Sequence, residues 1–158
     1  MNFYFVSAWM KAFLSSPEAA LTFYADSFDF SDPPRERFIR DDRAALAAAI
    51  RAFSNRDPDN GLGLHHLEVV EYVGDQNSGL VVWKWSARHA DVIFGMPAGG
   101  RFVETTGASF HVYNSGKIVR EIIYSDQIHV ARQLGYLAAR KKPLTRRFRR
   151  SPKPPEGA

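Results

Sequence analysis

The chain has 158 residues, 45% hydrophobic and 24% charged, which fits one globular domain large enough to bury a core. It contains no cysteine, which excludes disulfides, thiolate nucleophiles and thiolate-bound metals. The formal net charge of +4 is unevenly spread: residues 140–158 hold eight Lys or Arg and one Glu, leaving thirteen basic against sixteen acidic residues elsewhere.

In chain order, the opening stretch "MNFYFVSAWMKAFLSSPEAA" is apolar, but it has no basic leader and Lys11 interrupts it, so it does not read as a secretory signal. Residues 7–14 and 17–27 read as a broken helix or two short ones. Ser16 is placed as N-cap and Pro17 as the first helical residue of the second piece. The stretch "FDFSDPP", 28–34, reads as a short extended piece ending in a turn. An acidic start, an alanine-rich body and a basic end predict a helix over 41–53. A loop, "SNRDPDNGLG", follows.

From residue 64 the apolar period becomes two. "LHHLEVVEYV", "GLVVWKWSARHADVIF", "GRFVETTGASFHVYN" and "GKIVREIIYSD" read as strands, with turns at 74–79, 95–100 and 114–117. Helices followed by hairpin-linked antiparallel strands make an α+β class, in which a curved sheet wraps the N-terminal helices and encloses a pocket. The domain is expected over 1–137. Residues 138–158 read as a basic, proline-containing, disordered tail able to contact anions. No nucleic-acid-binding module is recognisable, and no stretch approaches the roughly 18 apolar residues of a membrane span. A cytoplasmic location follows as an expectation.

Alternation along the strands nominates a site. A two-residue turn at Ser115-Gly116 would pair Val112 with Val119, His111 with Arg120, Ser109 with Ile122, Gly107 with Tyr124 and Thr105 with Asp126. That register puts His111 and Ser109 on one face with Ile122, Tyr124 and Asp126. In the preceding strand Trp83, Trp85 and His89 share a face, suited to a flat or ring-shaped ligand. Asp126 has two readings: a carboxylate in a pocket, or the N-cap of the helix in "QIHVARQLG". His65 and His66, adjacent on a strand, point to opposite faces. Glu68, Glu104 and His129 read as solvent-facing.

From His89 through "GMPAGGR" (95–101), "SGKI" (115–118), "YSD" (124–126) and "RQLG" (132–135), the chain resembles the SnoaL-like polyketide cyclases, of the nuclear transport factor 2-like superfamily. The upstream Asp32-Pro33 also resembles the family pattern, and the resemblance covers about residues 7–136. It implies a cone-shaped α+β fold and a cofactor-independent, metal-free acid/base enzyme acting on a hydrophobic, ring-containing carbonyl compound. Cyclisation of the intramolecular aldol type, or isomerisation, is the implied chemistry, with lyase or isomerase character and a role in secondary metabolism. It implies Asp126 as acid/base assisted by His111, and a homodimer; the shared strand faces nominate Tyr124, His89, Trp85, Trp83, Ser109 and Ile122 as substrate contacts. Two alternatives stay open: a non-catalytic ligand-binding or dimerising module, and a dehydratase or epoxide-opening enzyme on the same fold.

Overall fold

The computed structural model describes residues 1–138; the basic tail lies outside the described residues. Helix α1 (Phe3–Ser15) begins where the Asn2 side chain accepts from the Phe5 amide, and it buries Val6, Trp9, Met10 and Phe13. Those positions recur at the helical period, so one stripe of α1 faces the sheet. Ser16 takes an extended conformation, ends α1 and caps α2 (Pro17–Leu21) by accepting from Ala19, as the sequence predicts.

The second helix is shorter than expected. Instead of continuing to residue 27, the chain turns at Thr22 and becomes strand β1 (Tyr24–Asp32). Its alternating Phe28, Phe30 and Asp32 point inward, and its backbone pairs in parallel with strand β8 (Lys117–Ser125). Ladder bonds and burial of two phenyl rings outweigh the weak helical preference of "FYADS". A 3₁₀ turn (Pro33–Arg35) leads to β2 (Arg37–Arg40), then α3 (Arg43–Ile50), capped by Asp42, and a second 3₁₀ turn (Arg51–Ser54).

The long strands are β3 (Leu62–Gly74), β4 (Ser78–Ala90) and β7 (Val103–Asn114). With β1, β2 and β8 they form one six-stranded sheet in the order β2-β1-β8-β7-β4-β3, antiparallel except between β1 and β8. The sheet is curved and unclosed, and α1 packs across β3 on its concave side. Strand β4 stops at Ala90, short of the predicted 94, because His89 adopts φ 60°. A small hairpin of β5 (Val92–Ile93) and β6 (Met96–Pro97) then turns through Phe94 and Gly95, both at positive φ. Helix α4 (Gln127–Gln133) closes the described chain. No helix among the described residues is long and apolar enough to cross a membrane.

The β7–β8 turn is the predicted two-residue one, with Ser115 and Gly116 both at positive φ. Its register then departs from the expectation. Asn114 meets Lys117 and Tyr113 meets Ile118, but Val112 meets Arg120, so Val119 is an extra, bulged residue. Beyond it His111 pairs with Glu121, Ser109 with Ile123 and Gly107 with Ser125. A slip of one residue turns every later side chain of β8 to the other face.

Candidate functional site

The concave face, α1 and the β5–β6 hairpin enclose a cavity of about 430 Å³, open solvent at its mouth included. Trp9, Met10 and Phe13 come from α1, Trp83 and Trp85 from β4, Phe94 from the small hairpin, and Ser109 and Thr105 from β7. Alternation on β4 puts both tryptophans inward, as predicted. The Trp83 ring fits because Gly107 lies opposite: a Cβ there would stand 2.2 Å from Trp83 Cη2.

The polar centre of this apolar wall is Glu121, fully buried on β8. The Tyr24 hydroxyl donates to its Oε2 in a short hydrogen bond. Burial, with the neighbouring carboxylate, pushes the Tyr24 phenol well above its ordinary range, so it stays a donor. Glu121 Oε1 lies 3.4 Å from His111 Nε2; both side chains are inaccessible to solvent, and neither atom has a hydrogen-bond partner among the described residues. His111 Nδ1 is 3.2 Å from the Tyr113 hydroxyl, and the edge of Trp9 packs on the imidazole at 4.7 Å. His111 thus stands behind Glu121 and meets the cavity through it. Ser109 Oγ accepts from Trp83 Nε1 at 3.2 Å, which leaves the serine proton for a ligand oxygen.

The mouth is built from a stack. Phe94 lies on Trp85 with ring centres 5.2 Å apart, and the Arg35 guanidinium lies over the Phe94 ring, 4.3 Å from its centroid. Arg35 is held by the buried Asp32 carboxylate. Trp85 Nε1 donates to His65 Nδ1 at 3.1 Å, so His65 carries its proton on Nε2 and donates to the Leu62 carbonyl. Burial, with the Arg35 charge, lowers the His65 pKa, and the Leu62 carbonyl opposes this only in part.

The nominated residues therefore divide. Trp83, Trp85 and Ser109 line the cavity, and His111 reaches it through Glu121. Asp126, Tyr124 and Ile122 do not line it, because the Val119 bulge turns their side of β8 outward. Asp126 is exposed and caps α4, accepting from the His129 amide at 2.9 Å. It lines a groove on the outer face with His66, Glu68, Lys84, Glu104 and His129. Tyr124 is 57% exposed. His89 is exposed too, since its positive φ breaks the alternation that would have carried it inward beside Trp85. Sequence reading missed Glu121, Tyr24, Trp9 and Arg35. The signal available for Glu121 was an acid beside Arg120 in an otherwise apolar run of Ile118, Val119, Ile122 and Ile123.

Comparisons with known proteins agree with this architecture. The family model described as SnoaL-like polyketide cyclase matches residues 6–134. TsrD from Streptomyces laurentii is similar in structure, with a TM-score of 0.65 at 20% identity over 87% of this chain and 99% of that one. So is a protein with a ketosteroid isomerase-like fold from Catenulispora acidiphila DSM 44928, with a TM-score of 0.65 at 14% identity over 85% and 95%. No curated protein sequence matches. With most of its length matched by the family model, and its curved sheet and N-terminal helices shared with these structures, the chain belongs to the SnoaL-like polyketide cyclase family, whose fold serves small-molecule enzymes.

Proposed function

We propose that the protein is a cofactor-independent acid/base enzyme that cyclises or isomerises a ring-containing, polyketide-like carbonyl compound. Glu121 takes the part that the resemblance had given to Asp126. The observation that carries this reading is the Glu121 carboxylate, buried among aromatic rings with Oε1 unpartnered and Oε2 held by Tyr24.

In this reading the substrate ring lies between Trp83, Trp85 and Phe94. Glu121 Oε1 removes a proton from the carbon next to a carbonyl, and the Ser109 hydroxyl donates to the carbonyl oxygen as its negative charge grows. The carbanion then adds to a second carbonyl carbon, and the new alkoxide takes the proton back from Glu121. In an isomerisation the proton returns to a different carbon. No atom is lost in either case. His111 faces Glu121 Oε1 across 3.4 Å, and Tyr24 keeps the carboxylate oriented.

The test is conversion, followed by mass spectrometry, of a panel of polyketide esters, the corresponding free acids and cyclic ketones by wild type and Glu121→Gln. Turnover by wild type and its loss in the variant, with ligand binding kept, is the expected result. Ligands that bind both proteins and are converted by neither would make the protein a binding module. We further propose a homodimer. The exposed Val70, Leu80, Phe110 and Tyr124 on the outer sheet face form an apolar surface that a second copy would cover. Sedimentation showing only monomer at micromolar concentration would refute that.

A further inference from the structure

Beside the cavity mouth lies a second, open cleft of about 1320 Å³, open solvent included, against about 430 Å³ for the cavity by the same measure. The two share four wall residues: Arg35, Phe53, Trp85 and Phe94. A molecule seated on the Trp85–Phe94 stack with its ring inward therefore continues directly into the cleft. Apart from the shared Arg35, the cavity is apolar except for Glu121 and the hydroxyls of Thr105 and Ser109. The cleft is where hydrogen-bond donors collect.

Arg35 is the first donor. Among the described residues its one hydrogen bond runs from Nη1 to Asp32, while Nε and Nη2 have no partner. Its position is fixed from two sides, by the buried Asp32 carboxylate and by the Phe94 face 4.3 Å away. A guanidinium held this way loses little freedom when it binds a planar oxygen group. Gln127 is the second donor. It lines the same cleft, and its Nε2, closed to solvent and without a hydrogen-bond partner among the described residues, becomes a donor to the cleft when the amide turns about its last bond. A buried amide left unpaired is costly unless a ligand or water completes it. Arg37 adds positive charge at the cleft's edge. His65 is neutral through the hydrogen bond it accepts from Trp85 and adds none. The acid in the lining, Asp91, stands against Gly61.

We propose that the substrate is a ring-bearing carboxylic acid whose free carboxylate rests in this cleft on Arg35 and Gln127 while its ring enters the cavity. Arg35 is then a specificity-determining residue: it selects the acid over its ester and points the ring at Glu121. The proposal rests on the reading of the cavity as the substrate site. It does not require that any compound be turned over.

Calorimetric titration of the full chain with 2-naphthoic acid and 2-anthracenecarboxylic acid, each beside its methyl ester, tests it. Wild type should bind at least one acid roughly tenfold more tightly than the ester, since charge-assisted bonds to a guanidinium are lost on esterification. Arg35→Met alone would strand the buried Asp32 charge, so the informative variant is Asp32→Asn with Arg35→Met, in which the preference should vanish. Gln127→Leu leaves that pair intact and should reduce the preference several-fold. Equal binding of acid and ester by wild type, or an undiminished preference in the double variant, would overturn the proposal. An acid preference that survives in Glu121→Gln, beside no turnover in wild type, would end the catalytic reading while supporting this one.

Discussion

Glu121, in the middle of β8, and Asp126, just past its end, stand five residues apart, and they belong to different worlds. Glu121 is fully buried, bound by Tyr24 and faced by His111 across 3.4 Å. Asp126 is exposed and spends its carboxylate on the amide of His129. One extra residue, Val119, separates the two outcomes, because it decides which face of β8 turns to the cavity. What makes a carboxylate a candidate for chemistry is the face it is given and the partners left to it, more than its place at the end of a strand.

The largest effect that separates the two is on turnover. Glu121→Gln should lower conversion by about 10² to 10⁴, the usual contribution of a general acid or base, with the folded state kept because Gln is isosteric. Asp126→Asn should convert substrate at close to the wild-type rate. Equal losses in the two variants, measured as kcat/KM on the first compound found to turn over, would erase the contrast.

The cavity face can next be broken without touching an acid. Gly107→Ala puts a methyl group 2.2 Å from Trp83 Cη2 and 2.4 Å from the Tyr124 carbonyl oxygen. The indole can swing but the backbone carbonyl is pinned by the sheet, so we expect a loss of about 1–3 kcal/mol in urea unfolding. Ring-ligand affinity should fall with it, since Trp83 moves. Unchanged stability would mean that the strand spacing here is slacker than the structure has it.

Much of this fold was legible from the chain. The Ser16-Pro17 break, the α3 helix and the turn at Ser115-Gly116 are each specified by local chemistry that tertiary contacts leave alone. Trp83 with Trp85, and Ser109 with His111, were legible as two separate faces by simple alternation; the slip-free pairing of β4 with β7 is what joins them. Glu121 was not. A bulge at Val119 leaves no mark in "GKIVREII", where Ile118 and Val119 are equally apolar and either register buries an isoleucine. His89 failed for a related reason: a single residue at positive φ changes the face without changing the pattern. The mouth was illegible in the chain, since Arg35 meets Phe94 and Trp85 only after the segment at 33–35 has folded against the distant end of β4 and its hairpin.

The helix cap offers a smaller and cleaner contrast. Asp126→Ala should cost about 0.5–2 kcal/mol by thermal or urea unfolding, while Asp126→Asn, which keeps an acceptor for the His129 amide, should cost much less. If Ala and Asn behave alike in stability, capping is not what holds Asp126 there. The outer groove it shares with His66 and Glu104 would then need its own account.

The smallest effect concerns the mouth and is read against pH. His65 is neutral in the fold, its pKa lowered first by burial and then by Arg35. In the unfolded chain an ordinary histidine titrates near about 6.5. Above that value neither state binds the proton, and the fold keeps its full stability. As pH falls, the unfolded state takes up the proton first, so stability is lost from about pH 6.5 down through the lower folded-state value and is flat again below it. His65→Gln keeps a hydrogen-bonding group between Trp85 and Leu62 but cannot take a proton. The stability difference between wild type and His65→Gln should therefore shrink or reverse as pH is lowered from 7.5 to 5. A difference that stays constant across that range would mean that protonated His65 is tolerated at the mouth, with Arg35 far enough away not to oppose it.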